Sequence, residues 1–301
     1  MPDAEIAAIR SLLAGRPRPT GPEERRQRLD EFARQFGVPA DARLEPIDID
    51  GVPAEWSVTP EADAKRAVLY LHGGGYMAGS IVSHRYVAVE IGRAAGARTL
   101  ALGYRLAPEH AYPAQLEDAL AAYRHLRDQG FAAGAIAVGG DSAGANLTLS
   151  LLLALRERGL PLPACGWLIS PWTDLTASGA TMQSKATVDP MISKPYLLEL
   201  AQAFAAGKTL ADPLISPRFA ELAGMPPLLI QVGSDETLLD DAVALAGRAG
   251  AAGVAVTLEI WPDMIHAFPM FFPRVAASRQ ATQRAGAFMR RYLDGPQRSS
   301  V

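Results

Sequence analysis

The stretch Gly140-Asp141-Ser142-Ala143-Gly144 decides the fold. It follows an apolar strand predicted over residues 135–139 and precedes a helical pattern over residues 144–158. A serine with a glycine two residues before it and another two residues after it suits a sharp strand-to-helix turn, where a Cβ would clash with neighbouring backbone. On such a turn the hydroxyl of Ser142 projects at the edge of the sheet as a nucleophile. The alternative interpretation is a glycine-rich helix start that binds phosphate.

Apolar strands and helical patterns alternate on both sides of this turn. A hairpin is predicted over residues 44–59, at a sheet edge. The remaining strands are predicted at 67–72, 99–104, 135–139, 165–170, 227–232 and 254–261, and the helices near 82–95, 115–127, 144–158, 238–252 and 277–292. Continuous apolar strands separated by helices indicate an α/β fold with a mostly parallel central sheet and helices on both faces.

Two segments depart from this alternation. Residues 1–43 read as two charged amphipathic helices, broken at Arg16-Pro17-Arg18-Pro19, and residues from about 174 to 217 place two or three helices between consecutive strands. We expect both segments to form a helical cap above the carboxyl edge of the sheet, where such folds bind ligands. The predicted division is therefore an N-terminal cap part, 1–43, and a catalytic domain, 44–301, with a cap insertion at about 174–217.

Composition excludes several classes of function. The chain has 301 residues, of which 49% are hydrophobic, and a formal net charge of −3, so we expect a globular protein without a basic surface for nucleic acid or membrane. The single cysteine, Cys165, excludes a disulfide framework and a cysteine-based metal site. Residues 1–20 lack the apolar core of a signal peptide, which makes the cytoplasm the expected location.

The glycine run His72-Gly73-Gly74-Gly75-Tyr76 follows the strand at 67–72. Without side chains, the backbone N–H groups of Gly74 and Gly75 can approach an anionic oxygen closely, together with the N–H of Ala143 after the nucleophile. The three amides are the predicted oxyanion hole, and a flexible loop is the alternative. His72 precedes the hole and is interpreted as an anchor of the loop.

A nucleophilic serine needs a base and an acid. His266 lies in the loop after the last strand, where hydrolases of this type carry their histidine, and Asp235 is the first carboxylate after the strand at 227–232. The predicted triad is Ser142, Asp235 and His266, and neither a metal nor a cofactor is expected. Asp235 as a helix cap is the alternative. Glu236, Asp240, Asp241 and Asp263 are the competing carboxylates.

These motifs, together with Tyr104-Arg105-Leu106-Ala107-Pro108-Glu109 and Ser170-Pro171-Trp172-Thr173-Asp174-Leu175, resemble those of the bacterial hormone-sensitive-lipase-like esterases over residues 65–292. The resemblance implies an α/β-hydrolase fold with a helical cap and a serine carboxylesterase for short-chain acyl esters without a cofactor. It also implies a homodimer formed through the last edge strand, 254–261. Many members follow the acid with proline and leucine, whereas Glu236-Thr237 follow Asp235 here.

Two other functions fit the same motifs. A lactone could be the substrate of this triad, because a triad determines that the reaction is acyl transfer but does not determine the leaving group. The related superfamily also contains hormone receptors that have lost catalytic residues and bind ligands without turnover. The aromatic and apolar residues Phe32, Phe36, Met191, Tyr196 and Phe204 of the predicted cap fit either a substrate pocket or an ordinary core.

Overall fold

The central feature of the fold is one eight-stranded sheet, seen in a computed structural model that describes residues 4–14 and 19–293. The strands are β1 (Arg43–Ile49), β2 (Val52–Val58), β3 (Asp63–Leu71), β4 (Ala97–Leu102), β5 (Ile136–Asp141), β6 (Cys165–Ile169), β7 (Leu228–Gly233) and β8 (Val256–Trp261). Their order across the sheet is β1-β2-β4-β3-β5-β6-β7-β8. The hairpin β1-β2 is antiparallel, β2 pairs antiparallel with β4, and all other pairs are parallel.

Helices follow most of the parallel strands. The helices of the described residues are α1 (Ala4–Ala14), α2 (Pro22–Arg34), α3 (Ile81–Ala95), α4 (Ala114–Asp128), α5 (Ala143–Glu157), α6 (Thr181–Ser184), α7 (Lys194–Ala205), α8 (Leu239–Ala251) and α9 (Ala276–Leu293). Every residue of β5, β6 and β7 is buried, and α5 is buried from Ala143 to Leu155, because helices cover both faces of the sheet. The α/β fold expected from the alternation of strands and helices is confirmed.

Helices occur in both predicted cap segments. Helices α1 and α2 fall in the N-terminal segment, and α6 and α7 lie between β6 and β7. Leu200 of α7 packs so closely on Gly75 that a Cβ at that glycine would lie 2.3 Å from Leu200 Cδ1. The break predicted at residues 16–19 lies outside the described residues except for Pro19. The division into a cap and a catalytic domain stays a prediction.

Parallel topology brings several loops to one edge of the sheet. The loops after β3, β5, β6, β7 and β8 all leave the carboxyl ends of neighbouring parallel strands. The glycine run, the nucleophile turn, the segment 170–175, Asp235 and His266 lie on these five loops, whereas the segment 104–109 follows β4. None of the helices in residues 4–14 and 19–293 has the length and apolarity needed to cross a membrane.

Candidate active site

Ser142 lies on the turn between β5 and α5 with φ 55° and ψ −116°, a conformation that costs a non-glycine residue energy and that folds retain mainly at functional sites. Its N–H donates to the carbonyl of Ile169 at 2.8 Å, and its carbonyl accepts from Asn146 N at 3.1 Å. A Cβ at Gly144 would lie 2.0 Å from the carbonyl oxygen of Leu71. The glycine is therefore required for the helix to start against β3, as the turn motif predicts.

The loop after β3 carries the predicted oxyanion hole. Gly74 and Gly75 have φ of 115° and 65°, which explains why glycines occupy these positions. Within the described part of the chain, the N–H groups of Gly74, Gly75 and Ala143 donate to no backbone carbonyl. Three backbone donors without such an acceptor match the requirement for binding an oxyanion.

A buried carboxylate joins the oxyanion loop to the nucleophile turn. Asp141, the neighbour of Ser142, accepts hydrogen bonds through Oδ1 from Gly73 N at 2.9 Å and from the Tyr70 hydroxyl at 2.8 Å. Burial alone would raise the pKa of Asp141, but His84 and these hydrogen bonds hold it below its usual value. Asp141 therefore remains an ionised acceptor that fixes the start of the glycine run.

His72 is buried beneath the same loop. Its ring stacks on Tyr104 with centroids 4.1 Å apart, and the Tyr104 hydroxyl donates to the carbonyl of His72 at 2.6 Å. Burial and the neighbouring His84 lower the pKa of His72 to about 3, so its ring is neutral. These contacts agree with an anchoring role for His72.

His266, the predicted base, is buried and contacts Glu236. Its Nδ1 lies 3.0 Å from Glu236 Oε2, and both side chains are at most 4% exposed. Burial alone would lower the pKa of His266, but the hydrogen bond and charge of Glu236 outweigh burial and raise it above 6.5, with smaller contributions from Asp189 and Asp141. The pair has the arrangement in which a carboxylate holds one ring nitrogen so that the other can act as a base.

Ser170 organises both members of this pair. The second oxygen of the carboxylate, Glu236 Oε1, accepts from the Ser170 hydroxyl at 2.7 Å and from Gly233 N at 2.6 Å. The Ser170 oxygen in turn accepts from Ala267 N at 2.9 Å, beside His266. Ser170 and Ala267 both have positive φ, 43° and 53°. The Glu236 carboxylate is thus held at Oε1 by two donors, while Oε2 contacts His266.

The structure contradicts the prediction that Asp235 is the acid. The carboxylate of Asp235 pairs with Arg10 at 2.6 Å and with Lys185 at 3.5 Å, and it is 23% exposed whereas Glu236 is fully buried. The reason is a contact between loops: Asp235 N donates to the carbonyl of Met264 in the loop after β8 at 3.0 Å, and the loop after β7 presents its next residue to the histidine. Glu236 was only one of several competing carboxylates in the sequence.

The other competing carboxylates have structural partners. Asp240 and Asp241 lie in α8 as expected; Asp240 binds Thr181 N at 3.0 Å, and Asp241 accepts from Thr173 N and Asp174 N. Burial raises the pKa of Asp241 to about 7. The N–H of Asp263 donates to Ser234 Oγ at 2.9 Å, so its backbone helps to join the loops after β7 and β8.

Of the five cap residues that fit either a pocket or a core, three pack against other aromatic rings and two line a cavity. Phe204 stacks on Tyr76 with ring centroids 3.8 Å apart, and Phe32 packs against Phe271 at 6.2 Å. Phe36 packs in the same way, against Tyr86. A cavity of about 350 Å³ is instead lined by Pro19, Arg25, Met191, Ser193, Pro195, Tyr196 and Glu199. Residues 4–14 and 19–293 contain no group of three or more His, Cys, Asp or Glu side chains placed to hold a metal ion.

The comparisons with known proteins agree with this geometry. Residues 68–270 match the family model described as the alpha/beta hydrolase fold, and the chain belongs to that family. Within it, the chain is a carboxylic ester hydrolase of the bacterial hormone-sensitive-lipase-like group.

Three relatives illustrate the match. An acetyl-hydrolase of Streptomyces hygroscopicus is 44% identical over 268 residues, which cover 89% of each chain. The crystal structure of an esterase from the bacterial hormone-sensitive lipase family is 43% identical, with a TM-score of 0.94, and covers 97% of this chain and 99% of its own. EstE5, from a crystal soaked with p-nitrophenyl butyrate, is 42% identical with a TM-score of 0.93 and the same coverage.

Proposed function

We propose that this esterase acts through an acyl-enzyme formed on Ser142, with His266 as the general base and Glu236 as the acid of the triad. The observation that carries the proposal is the buried 3.0 Å contact between His266 Nδ1 and Glu236 Oε2. A neutral imidazole held by Glu236 through Nδ1–H presents Nε2 as an acceptor for the serine proton.

In the first half-reaction, Ser142 Oγ bonds to the ester carbonyl carbon while its proton passes to His266. The carbonyl π electrons move to oxygen, and this oxyanion is stabilised by the amides of Gly74, Gly75 and Ala143. The C–O bond to the alcohol then breaks as His266 returns the proton to the leaving oxygen. The alcohol departs and leaves the acyl group on Ser142.

Water completes the cycle. His266 removes a proton from water, whose oxygen adds to the acyl carbon and again places negative charge at the three amides. Collapse expels Ser142 Oγ, which takes its proton back from His266, and the carboxylic acid leaves. Glu236 stays ionised throughout and stabilises the imidazolium in both halves.

The proposed substrates are esters with short acyl chains of about two to six carbons, with activity falling for longer chains. The name of the Streptomyces relative, an acetyl-hydrolase, and the use of p-nitrophenyl butyrate on EstE5 support this range.

A panel of p-nitrophenyl esters from acetate to palmitate, with lactones of matched size, tests this function. We expect turnover of acetate and butyrate and transient acylation of Ser142, seen as one added acyl group in the intact protein mass. Ser142→Ala should retain the fold and lose both signals. Faster lactone than ester hydrolysis would favour the lactonase, and binding without turnover would favour a receptor.

We also propose a homodimer formed through β8. This strand ends the sheet, so one side of its backbone has no neighbouring strand within the described part of the chain, and Ile260 on it is 46% exposed. A second copy pairing edge to edge would cover both features. Light scattering after size-exclusion chromatography tests it: Ile260→Lys should convert a dimer to a monomer, and a wild-type monomer would contradict the proposal.

A further inference from the structure

We infer that Arg10 of the N-terminal helix is a positioning residue that fixes the acid loop (residues 234–238) relative to the histidine loop (residues 262–267). The inference rests on the proposed triad, because it assigns to Arg10 the spacing between two of its members. Arg10 lies on α1, far in sequence from both loops.

The guanidinium of Arg10 contacts three separate segments. Its Nη2 donates to Asp235 Oδ2 at 2.6 Å and to the carbonyl of Asp263 at 3.0 Å. Its Nη1 donates to the carbonyl of Val188 at 2.8 Å. One rigid planar group therefore joins the acid loop, the histidine loop and the insertion between β6 and β7.

Two of these acceptors adjoin the proposed catalytic groups. Asp235 immediately precedes Glu236, and Asp263 lies three residues before His266. A shift of Arg10 would therefore displace the backbone one residue before Glu236 and three residues before His266.

The third acceptor leads back to the acid loop by another route. Val188 precedes Asp189, whose Oδ2 accepts from the Thr237 N–H at 2.9 Å and from the Thr237 hydroxyl at 3.1 Å. Thr237 follows Glu236 directly. The residues on both sides of Glu236 are therefore held, one by Arg10 and the other by a segment that Arg10 also holds.

Hydrophobic packing fixes Arg10 itself. Ile6 and Ile9 of α1 are at most 2% exposed and pack in one cluster with Met264, Ile265 and Phe268 of the histidine loop and the turn after it. A single ion pair at the 25% exposure of Arg10 contributes little to stability. Arg10 lies on an anchored helix and binds three acceptors, so these contacts form a network with a defined geometry.

Loss of the guanidinium should alter chemistry more than binding. Each loop keeps its own fold, and Lys185 still faces Asp235, but the link between the loops is gone. Proton transfer depends on sub-ångström placement of the reacting groups, so we expect kcat to fall about 10- to 100-fold. KM should stay within about two-fold, because the acceptors of Arg10 are Val188, Asp235 and Asp263, none of which the proposed mechanism assigns to substrate binding.

The variants Arg10→Gln and Arg10→Lys, assayed with p-nitrophenyl butyrate beside wild-type enzyme, test the inference. The matched control is Glu5→Gln on the same helix. Glu5 accepts from Ala276 N at 2.5 Å and pairs with Arg279 at 3.9 Å, both outside the two loops. We expect wild-type kcat for the control, a loss for glutamine at position 10, and an intermediate value for lysine, which keeps the charge but loses the planar fork.

The outcomes separate this inference from the proposed triad. An unchanged kcat in Arg10→Gln overturns the inference, and so does an equal loss in Glu5→Gln, since the cause would then be docking of α1 as a whole. Thermal melting identifies a glutamine variant that fails to fold, in which case a wild-type kcat in the lysine variant overturns the inference. Full activity of Ser142→Ala or Glu236→Gln would overturn the triad instead.

Discussion

The hydroxyl of Ser170 donates a 2.7 Å hydrogen bond to Oε1 of Glu236. The Ser170 oxygen accepts the N–H of Ala267, so one buried serine directly after β6 links the proposed acid to the segment that carries the proposed base. Ser170 begins the segment Ser170–Leu175 that carried part of the family resemblance. The contact gives the first residue of that motif a specific role.

Ser170→Ala should therefore weaken catalysis while the fold is kept. The substitution leaves Ala267 N without this acceptor and removes one of the donors to Glu236, and a buried unsatisfied group costs about 1–3 kcal/mol. We expect kcat with p-nitrophenyl butyrate to fall by about 10-fold, and Tm to fall by a few degrees. Ser178→Ala, which removes a hydroxyl that binds Asp174 outside the triad, is the control and should leave kcat unchanged.

Glu236→Gln should reduce kcat by about 10³- to 10⁴-fold, because an amide favours the wrong tautomer of His266. Asp235→Asn is the matched control one residue away. It loses charge opposite Arg10 but keeps an oxygen acceptor, so its kcat should fall less than about 10-fold. The reverse ranking, with the asparagine variant inactive and the glutamine variant active, would restore Asp235 as the acid.

The rate should rise with pH through a midpoint above 6.5. The base must be neutral to accept the serine proton, and Glu236 raises the pKa of His266 against the lowering effect of burial. Asp189 and Asp141 act in the same direction as Glu236. Residual activity of Glu236→Gln should therefore have its midpoint at lower pH than wild type, measured as kcat/KM from pH 5 to about pH 9. A midpoint that moves upward would contradict the assigned contact.

Gly144→Ala should prevent the native turn from forming. The new Cβ would lie 2.0 Å from the carbonyl oxygen of Leu71 and 2.5 Å from that of His72, and neither backbone group can move without shifting β3. We expect loss of the folded protein, followed as soluble yield and circular dichroism. Gly247→Ala in α8, where a Cβ meets nothing within 4 Å, should instead stabilise the fold by about 0.5–1 kcal/mol.

Local signals predict the strands and the nucleophile turn well. Strand β6 begins at Cys165, as the apolar run indicates, and α5 starts one residue before the predicted helix. Such elements are determined by patterns of a few neighbouring residues: a buried apolar strand, two glycines that admit close backbone contact, and a helix behind them. The loop after β3 is predicted equally well, because a run of three glycines directly after a strand has few other structural roles.

The acid could not be chosen from local signals. Asp235 and Glu236 are adjacent carboxylates, and which of them turns inward depends on the hydrogen bond from Asp235 N to the carbonyl of Met264, 29 residues later. Arg10, which pairs with Asp235 from 225 residues away, is another long-range partner that the sequence does not show. The hydroxyl of Ser170 can bind a carboxylate, but the sequence does not show which one, because Glu236 lies 66 residues away.

The contacts of Arg10 also bear on how the chain acquires activity during synthesis. Helix α1 is translated before the other described elements, and the acceptors of Arg10 at Val188, Asp235 and Asp263 follow it by 178, 225 and 253 residues. We expect contacts of such sequence separation to form late, because the cost of closing the intervening chain must be met before they form. An N-terminal fragment ending before the histidine loop would therefore carry the serine turn and the glycine loop in a protein without turnover. An affinity tag placed before α1 would adjoin these late-forming contacts.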